Sequence, residues 1–159
     1  EMLIANLFEG NVNWDNAGYN LLPNWNRKKA IYWLERAAEH GYPMAQRNLI
    51  LKVYGYSGSM QDYAKAYMWA CIGDLYEDYE KNLRVVDVDI RRNKIYKGAS
   101  KNTLEFIHTS LIHTSNLWIT LSEAQKEAAK EEAKARFEKI RKFMDAQIEA
   151  YKAEHADEK

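Results

Sequence analysis

Lys29-Ala30-Ile31-Tyr32-Trp33-Leu34-Glu35-Arg36-Ala37 and Lys65-Ala66-Tyr67-Met68-Trp69-Ala70-Cys71-Ile72-Gly73 read as one helix written twice. The lysine, the alanine after it, the tryptophan and the small residue four further on all recur after 36 residues, the step from Lys29 to Lys65. In the first copy Ala30, Trp33, Leu34 and Ala37 fall at i, i+3, i+4 and i+7, one face of an α-helix. A different helix lies between the copies, Ala45-Gln46-Arg47-Asn48-Leu49 running on to Tyr54. A period in the middle thirties with two helices per unit implies stacked helical hairpins. The expected fold is therefore all-α, an α-solenoid of helix-turn-helix repeats.

Outward from that core, residues 27–40 form the first Trp-containing helix, stopped by Gly41, with Pro43 opening the next. Residues 44–56 carry Ala45, Leu49 and Val53 on one face and Ile50, Leu51 and Tyr54 on the other. A helix apolar on two sides is expected to lie between two neighbours. Gly55, Ser57, Gly58 and Ser59 break it, and Asp62 offers an N-cap for the second Trp helix. Toward the start of the chain, residues 2–8 read as a short apolar helix closed by Gly10. The Asn-rich stretch 11–26 reads as a loop pinned by Trp14, Tyr19 and Trp25, aromatics that also suit an interface.

These residues resemble the Sel-one-like repeat family, relatives of the tetratricopeptide repeats. The resemblance rests on Lys29-Ala30-x-x-Trp33-x-x-x-Ala37-Ala38-x-x-Gly41, on Ala45-Gln46-x-Asn48-Leu49 with Tyr54, and on Gln61-Asp62-Tyr63-Ala64-Lys65-Ala66-x-x-Trp69. Leu7-Phe8-Glu9-Gly10 resembles the end of a preceding unit. The match covers roughly residues 2–73; Gly73 replaces the usual alanine, and no third full unit follows. The resemblance implies a helical-repeat stack and a scaffold that binds other proteins.

Past Gly73 the pattern changes. Asp74, Glu77, Asp78 and Glu80 interleave with Tyr76 and Tyr79, and Arg91, Arg92, Lys94, Lys97 and Lys101 form a basic run. The two runs are expected to be solvated or loosely paired, or else to form a charged docking surface. Val86-Asp87-Val88-Asp89-Ile90 suits a strand or a continued helix equally. Residues 104–115 read as a short helix. Thr120-Leu121-Ser122-Glu123 reads as a capping box opening a long helix to about residue 153, a terminal cap for the stack. Its stripe is Ala129, Ala133, Phe137, Ile140, Met144, Ile148 and Tyr151, with Glu132–Arg136 and Glu138–Lys142 pairs on the outer side. The expected organisation is one domain over 1–159: repeat hairpins over 1–75, an irregular charged insert over 76–120, and the long helix over 121–156.

Lys+Arg and Asp+Glu both number 23, so there is no overall field to hold nucleic acid. No run approaches the ~20 apolar residues of a membrane span. The single cysteine, Cys71, sits in a helical pattern as a small core residue. His40, His108, His113 and His155 have no spacing that suits a metal site, and no phosphate loop or nucleophile elbow is present. No cofactor is expected. The chain opens with Glu1 and reads as helix at once, so a leader could have preceded it; bacterial cytoplasm and periplasm both stay open.

The expected function is a non-catalytic adaptor or scaffold that binds another protein, one of an envelope or signalling complex for instance. Its expected contact residues are Trp14, Tyr19, Trp25, Tyr56, Tyr76, Glu77, Asp78 and Tyr79. A narrower alternative is a bacterial immunity-type protein that neutralises a toxin or effector, its acidic Tyr-rich run covering a basic cleft. The rival class is a hydrolase using Asp87, Asp89 or a histidine. Self-association through the stripe over 137–151 is a further expectation.

Overall fold

The computed structural model describes residues 27–55, 59–95 and 120–157, and among them every regular element is a helix. In chain order these are α1 (Arg27–Glu39), α2 (Pro43–Asn48, carried on by a π-helical stretch, Leu49–Tyr54), α3 (Met60–Lys81), α4 (Val85–Asp89, carried on by π-helical Ile90–Ile95) and α5 (Glu123–Glu154).

α1 and α2 form an antiparallel hairpin. Gly41 takes φ 83° at the bend, the left-handed region that a side chain resists, and Pro43 opens α2. Gln46 Nε2 donates to the Ala38 carbonyl at 3.1 Å, and the Tyr54 hydroxyl donates to Glu35, so the two strokes of the hairpin are tied at both ends. Leu49, Ile50, Val53 and Tyr54 are all buried, as a helix held between α1 and α3 must be. The stretch closes with π geometry, Gly55 N donating to Ile50 O at 2.9 Å, an i→i+5 link.

α3 is the central element. Ala66, Trp69, Ala70 and Ile72 are buried, and Trp69 is 1% exposed. The helix starts at Ser59, whose side chain accepts from Asp62 N; Asp62 is thus in the first turn rather than at the cap. It also outruns expectation. Residues 76–81, placed by sequence in an irregular insert, continue α3 to Lys81, because Tyr76 and Tyr79 extend its inner face by i, i+3. Asn82 ends it, donating from its side chain to Asp78 O at 2.8 Å.

α5 lies along α3 in the same direction. Its first turns share a groove with Gln61, Ala64 and Lys65, while Asp145, further along, meets Tyr79. Ala129, Ala133, Phe137, Ile140, Met144 and Ile148 are buried, and Tyr151 is half-buried. That stripe is used up inside the fold, so it offers no seam for a second copy. Each large side chain buried this way is worth about 1.5–3 kcal/mol of transfer free energy. Small Ala129 and Ala133 let the α5 backbone approach where Trp69 and Tyr67 already fill space. The capping box is set two residues later than read: Ser122 is the N-cap and Gln125 closes it, because Leu121 is drawn into the core at 5% exposure. Along the outer side, Lys126–Glu123, Lys130–Glu127, Lys134–Glu131, Arg136–Glu132 and Arg141–Glu138 pair one turn apart; Glu138 uses Arg141 rather than Lys142.

Residues 85–95, open to a strand or a helix from sequence, are helical, and residues 96–103 lie outside the described residues. So do the expected elements over 2–26 and 104–115. No described helix is long and apolar enough to cross a membrane.

Candidate functional site

The acidic, Tyr-rich end of α3 divides by helical geometry into an inner and an outer half. Tyr76 and Tyr79 turn inward; Glu77 and Asp78 turn outward. Tyr76 is 2% exposed and its hydroxyl accepts from Arg91 Nη2 at 2.5 Å. It is a core residue, not the surface contact its composition suggested. Arg91 is itself only 1% exposed, its guanidinium 5.1 Å from the Tyr76 ring centre and 6.0 Å from that of Tyr79. Cation–π contact of this kind is strongest where water is excluded.

Tyr79 is half-buried. Its ring packs edge-on against Phe137 and its hydroxyl donates to Asp145 Oδ1 at 2.7 Å, while Arg141 Nη1 holds the other oxygen at 3.0 Å. Burial, then the hydrogen bond to Asp145 and its negative charge, push the phenol above its ordinary range. α4 is fastened by two further links. Arg92 bonds Glu80, and Asp87 takes Lys152 Nζ at 2.7 Å and Arg84 Nε at 3.1 Å. Lys152 chiefly, against the cost of burial, holds the Asp87 carboxyl below the usual carboxylate range. The acidic and basic runs therefore meet through Glu80–Arg92, with side chains only 11% and 28% exposed.

These inward links turn the other face of α4 outward. Val85 is 87% exposed and Val86 53%, two adjacent β-branched side chains at the first turn after the bend that follows α3. Glu77 pairs with Lys81 at 2.8 Å just before that bend, and Asp78 is exposed beside it. Asp87 and Asp89, two apart on a helix, separate: Asp87 is buried, whereas Asp89 is exposed and accepts from Asn93 at 2.5 Å. Nothing of a paired-carboxylate arrangement remains there.

Among the described residues, a groove lies on each of two stretches of the α3–α5 seam. One, of about 190 Å³, is lined by Cys71, Asp74, Leu75, Asp78, Lys130 and Lys134. The other, of about 340 Å³, is lined by Gln61, Ala64, Lys65, Gln125, Ala128, Ala129 and Glu132. Burial pushes the Cys71 thiol up to about 11, which leaves it a poor nucleophile near neutral pH. His40 stacks on Phe143 and His155 on Tyr151, with ring centres 4.2 and 3.9 Å apart. Among the described residues no three or more of His, Cys, Asp and Glu gather where a metal ion could sit. Trp14, Tyr19, Trp25 and Tyr56 lie outside the described residues.

Sequence reasoning missed Arg91 and the Val85–Val86 pair. A signal existed: Asp87, Ile90 and Arg91 stand at i, i+3 and i+4, an inner stripe with two polar members that a count of apolar residues passes over. No protein-family model, curated protein or solved structure matches the chain.

Proposed function

We propose that the protein is a non-catalytic binding module that engages another protein through the corner between α3 and α4. Val85 and Val86 form the apolar centre of that contact, and Glu77 and Asp78 form an acidic edge. The observation that carries this reading is the exposure of two neighbouring aliphatic side chains on a segment fixed from behind. Arg91 on Tyr76, Arg92 on Glu80 and Asp87 on Lys152 hold α4 in place. An apolar centre with a charged rim is how protein contacts are commonly built, and rigid presentation lowers the entropy lost on binding. The partner that fits has a small apolar recess edged by basic side chains. A toxin or effector with a basic cleft is the narrower form of the same reading, since Glu77 and Asp78 would face it. The α1–α2 hairpin followed by α3 is in keeping with the Sel-one-like resemblance of residues 2–73, and we read these helices as units of a repeat stack.

The test is a Val85→Ser/Val86→Ser double variant. Both positions are exposed, so stability should stay within about 0.5 kcal/mol per substitution. Tagged wild type and variant are used side by side to capture partners from the native host, read by mass spectrometry. One stoichiometric partner held by the wild type and lost by the folded variant supports the reading. Equal recovery by both would overturn it.

A further inference from the structure

The 190 Å³ groove on the α3–α5 seam has two walls of opposite sign. Asp74 and Asp78, four apart, stand on α3; Lys130 and Lys134, four apart, stand on α5; Cys71 and Leu75 make the floor. Because α3 and α5 run in the same direction, the two rows are side by side along the groove. A partner of uniform charge meets attraction on one wall and repulsion on the other. A second copy of this chain does not, provided that the two-fold axis lies along the groove. Such an axis exchanges left and right, setting the Asp row of each copy over the Lys row of the other. An axis across the groove would set Asp over Asp and is excluded by like-charge repulsion.

We propose that this groove is a homodimer contact, with Asp74 and Asp78 of each copy facing Lys130 and Lys134 of its partner and Leu75 against Leu75 near the axis. Two further facts favour a second copy. The chain has 23 basic and 23 acidic residues, so no net charge keeps copies apart. Among the described residues, Lys130 and Lys134 pair with Glu127 and Glu131 on their own helix, at 3.1 and 3.2 Å, with those carboxylates 63% and 72% exposed. Exposed one-turn pairs are weak and are readily exchanged for a contact between copies. The surface is separate from Val85 and Val86, so the two readings fail independently.

The experiment is sedimentation equilibrium on wild type and two variants. Asp74→Lys/Asp78→Lys makes the groove all basic, and Lys130→Glu/Lys134→Glu makes it all acidic. The wild type should dimerise, more weakly as salt rises. Each variant alone should lose affinity about tenfold or more, and an equimolar mixture of the two should recover a heterodimer. Circular dichroism checks that both variants keep their helices. Should either unfold, zero-length carboxyl–amine cross-linking of mixed isotope-labelled and unlabelled wild type replaces it, with Asp78 expected to join Lys130 or Lys134 of the other copy. A wild type that sediments as one chain up to millimolar concentration overturns the proposal. So do variants that dimerise as well as the wild type, or cross-links between copies that avoid this groove.

Discussion

Tyr79→Phe separates a residue that binds a partner from one that holds the fold. The substitution removes one oxygen and keeps the ring, so packing against Phe137 is untouched and only the 2.7 Å bond to Asp145 is lost. Hydrogen bonds to charged groups contribute about 1.5–3 kcal/mol when buried. Asp145 keeps Arg141 on its second oxygen and its side chain is 42% exposed, so water can replace part of what is lost. The expected destabilisation is about 1–2 kcal/mol, or about 2–8 °C in Tm for a chain of this size. pH gives an independent handle. The Tyr79 phenol titrates above its unfolded value, so its contribution is complete below the unfolded tyrosine range near 10 and disappears as pH rises through the folded value. The gap between wild type and Tyr79→Phe should be full at pH 7 and narrow above pH 10. Urea unfolding followed by circular dichroism at stepped pH reads it. A gap below about 0.3 kcal/mol at pH 7 would mean that water already competes fully for Asp145. A full gap that persists unchanged at alkaline pH would refute the electrostatic part of the reasoning.

The two glycines of the repeated helix should respond in opposite directions. At Gly73 an added Cβ meets nothing within 4 Å, so Gly73→Ala should stabilise by about 0.5–1 kcal/mol; Gly41, at φ 83°, should lose about 1 kcal/mol or more on the same change, both read by thermal unfolding. For Asp87 the sign reverses relative to Tyr79. Its lowered value means stability that is present above the ordinary carboxylate range and lost as pH falls through the folded value, so Lys152→Met should flatten the acid limb of a Tm–pH profile. An acid limb identical to the wild type's would show that Lys152 does not set the Asp87 value.

The all-helical fold was legible because its signals are local. The i, i+3, i+4, i+7 faces of α1 and α3, the Gly41 bend and the stripe of α5 each need only one helix to be recognised. What failed was which of two adjacent candidates takes a role. Ser59 and Asp62 can both cap α3, and Thr120 and Ser122 can both open α5; the choice is made by which neighbour the core pulls in, Leu121 in the second case. The surface was legible only in part, for a related reason. Tyr76 and Glu77 look alike as members of an acidic, aromatic run, yet one lies in the core and the other does not. The split itself follows from helix phase once α3 runs on to Lys81, but the Arg91 that closes over Tyr76 stands fifteen residues further on, and a contact across that distance leaves no pattern in the intervening residues.

The parallel pairing of α3 with α5 has a consequence for biosynthesis. The apolar face around Met68, Trp69 and Ile72 is complete once α3 has emerged from the ribosome, but its cover is α5. At about 5–20 residues per second, residues 82–122 and then α5 itself take several seconds to appear. For that interval the α5-facing side of α3 lacks its cover, and bringing α5 back across the connection over 82–122 has an entropic cost that grows only slowly with its length. Chaperone occupancy during translation should therefore peak on chains that have passed Lys81 and not yet reached Ile148, and fall away once α5 docks.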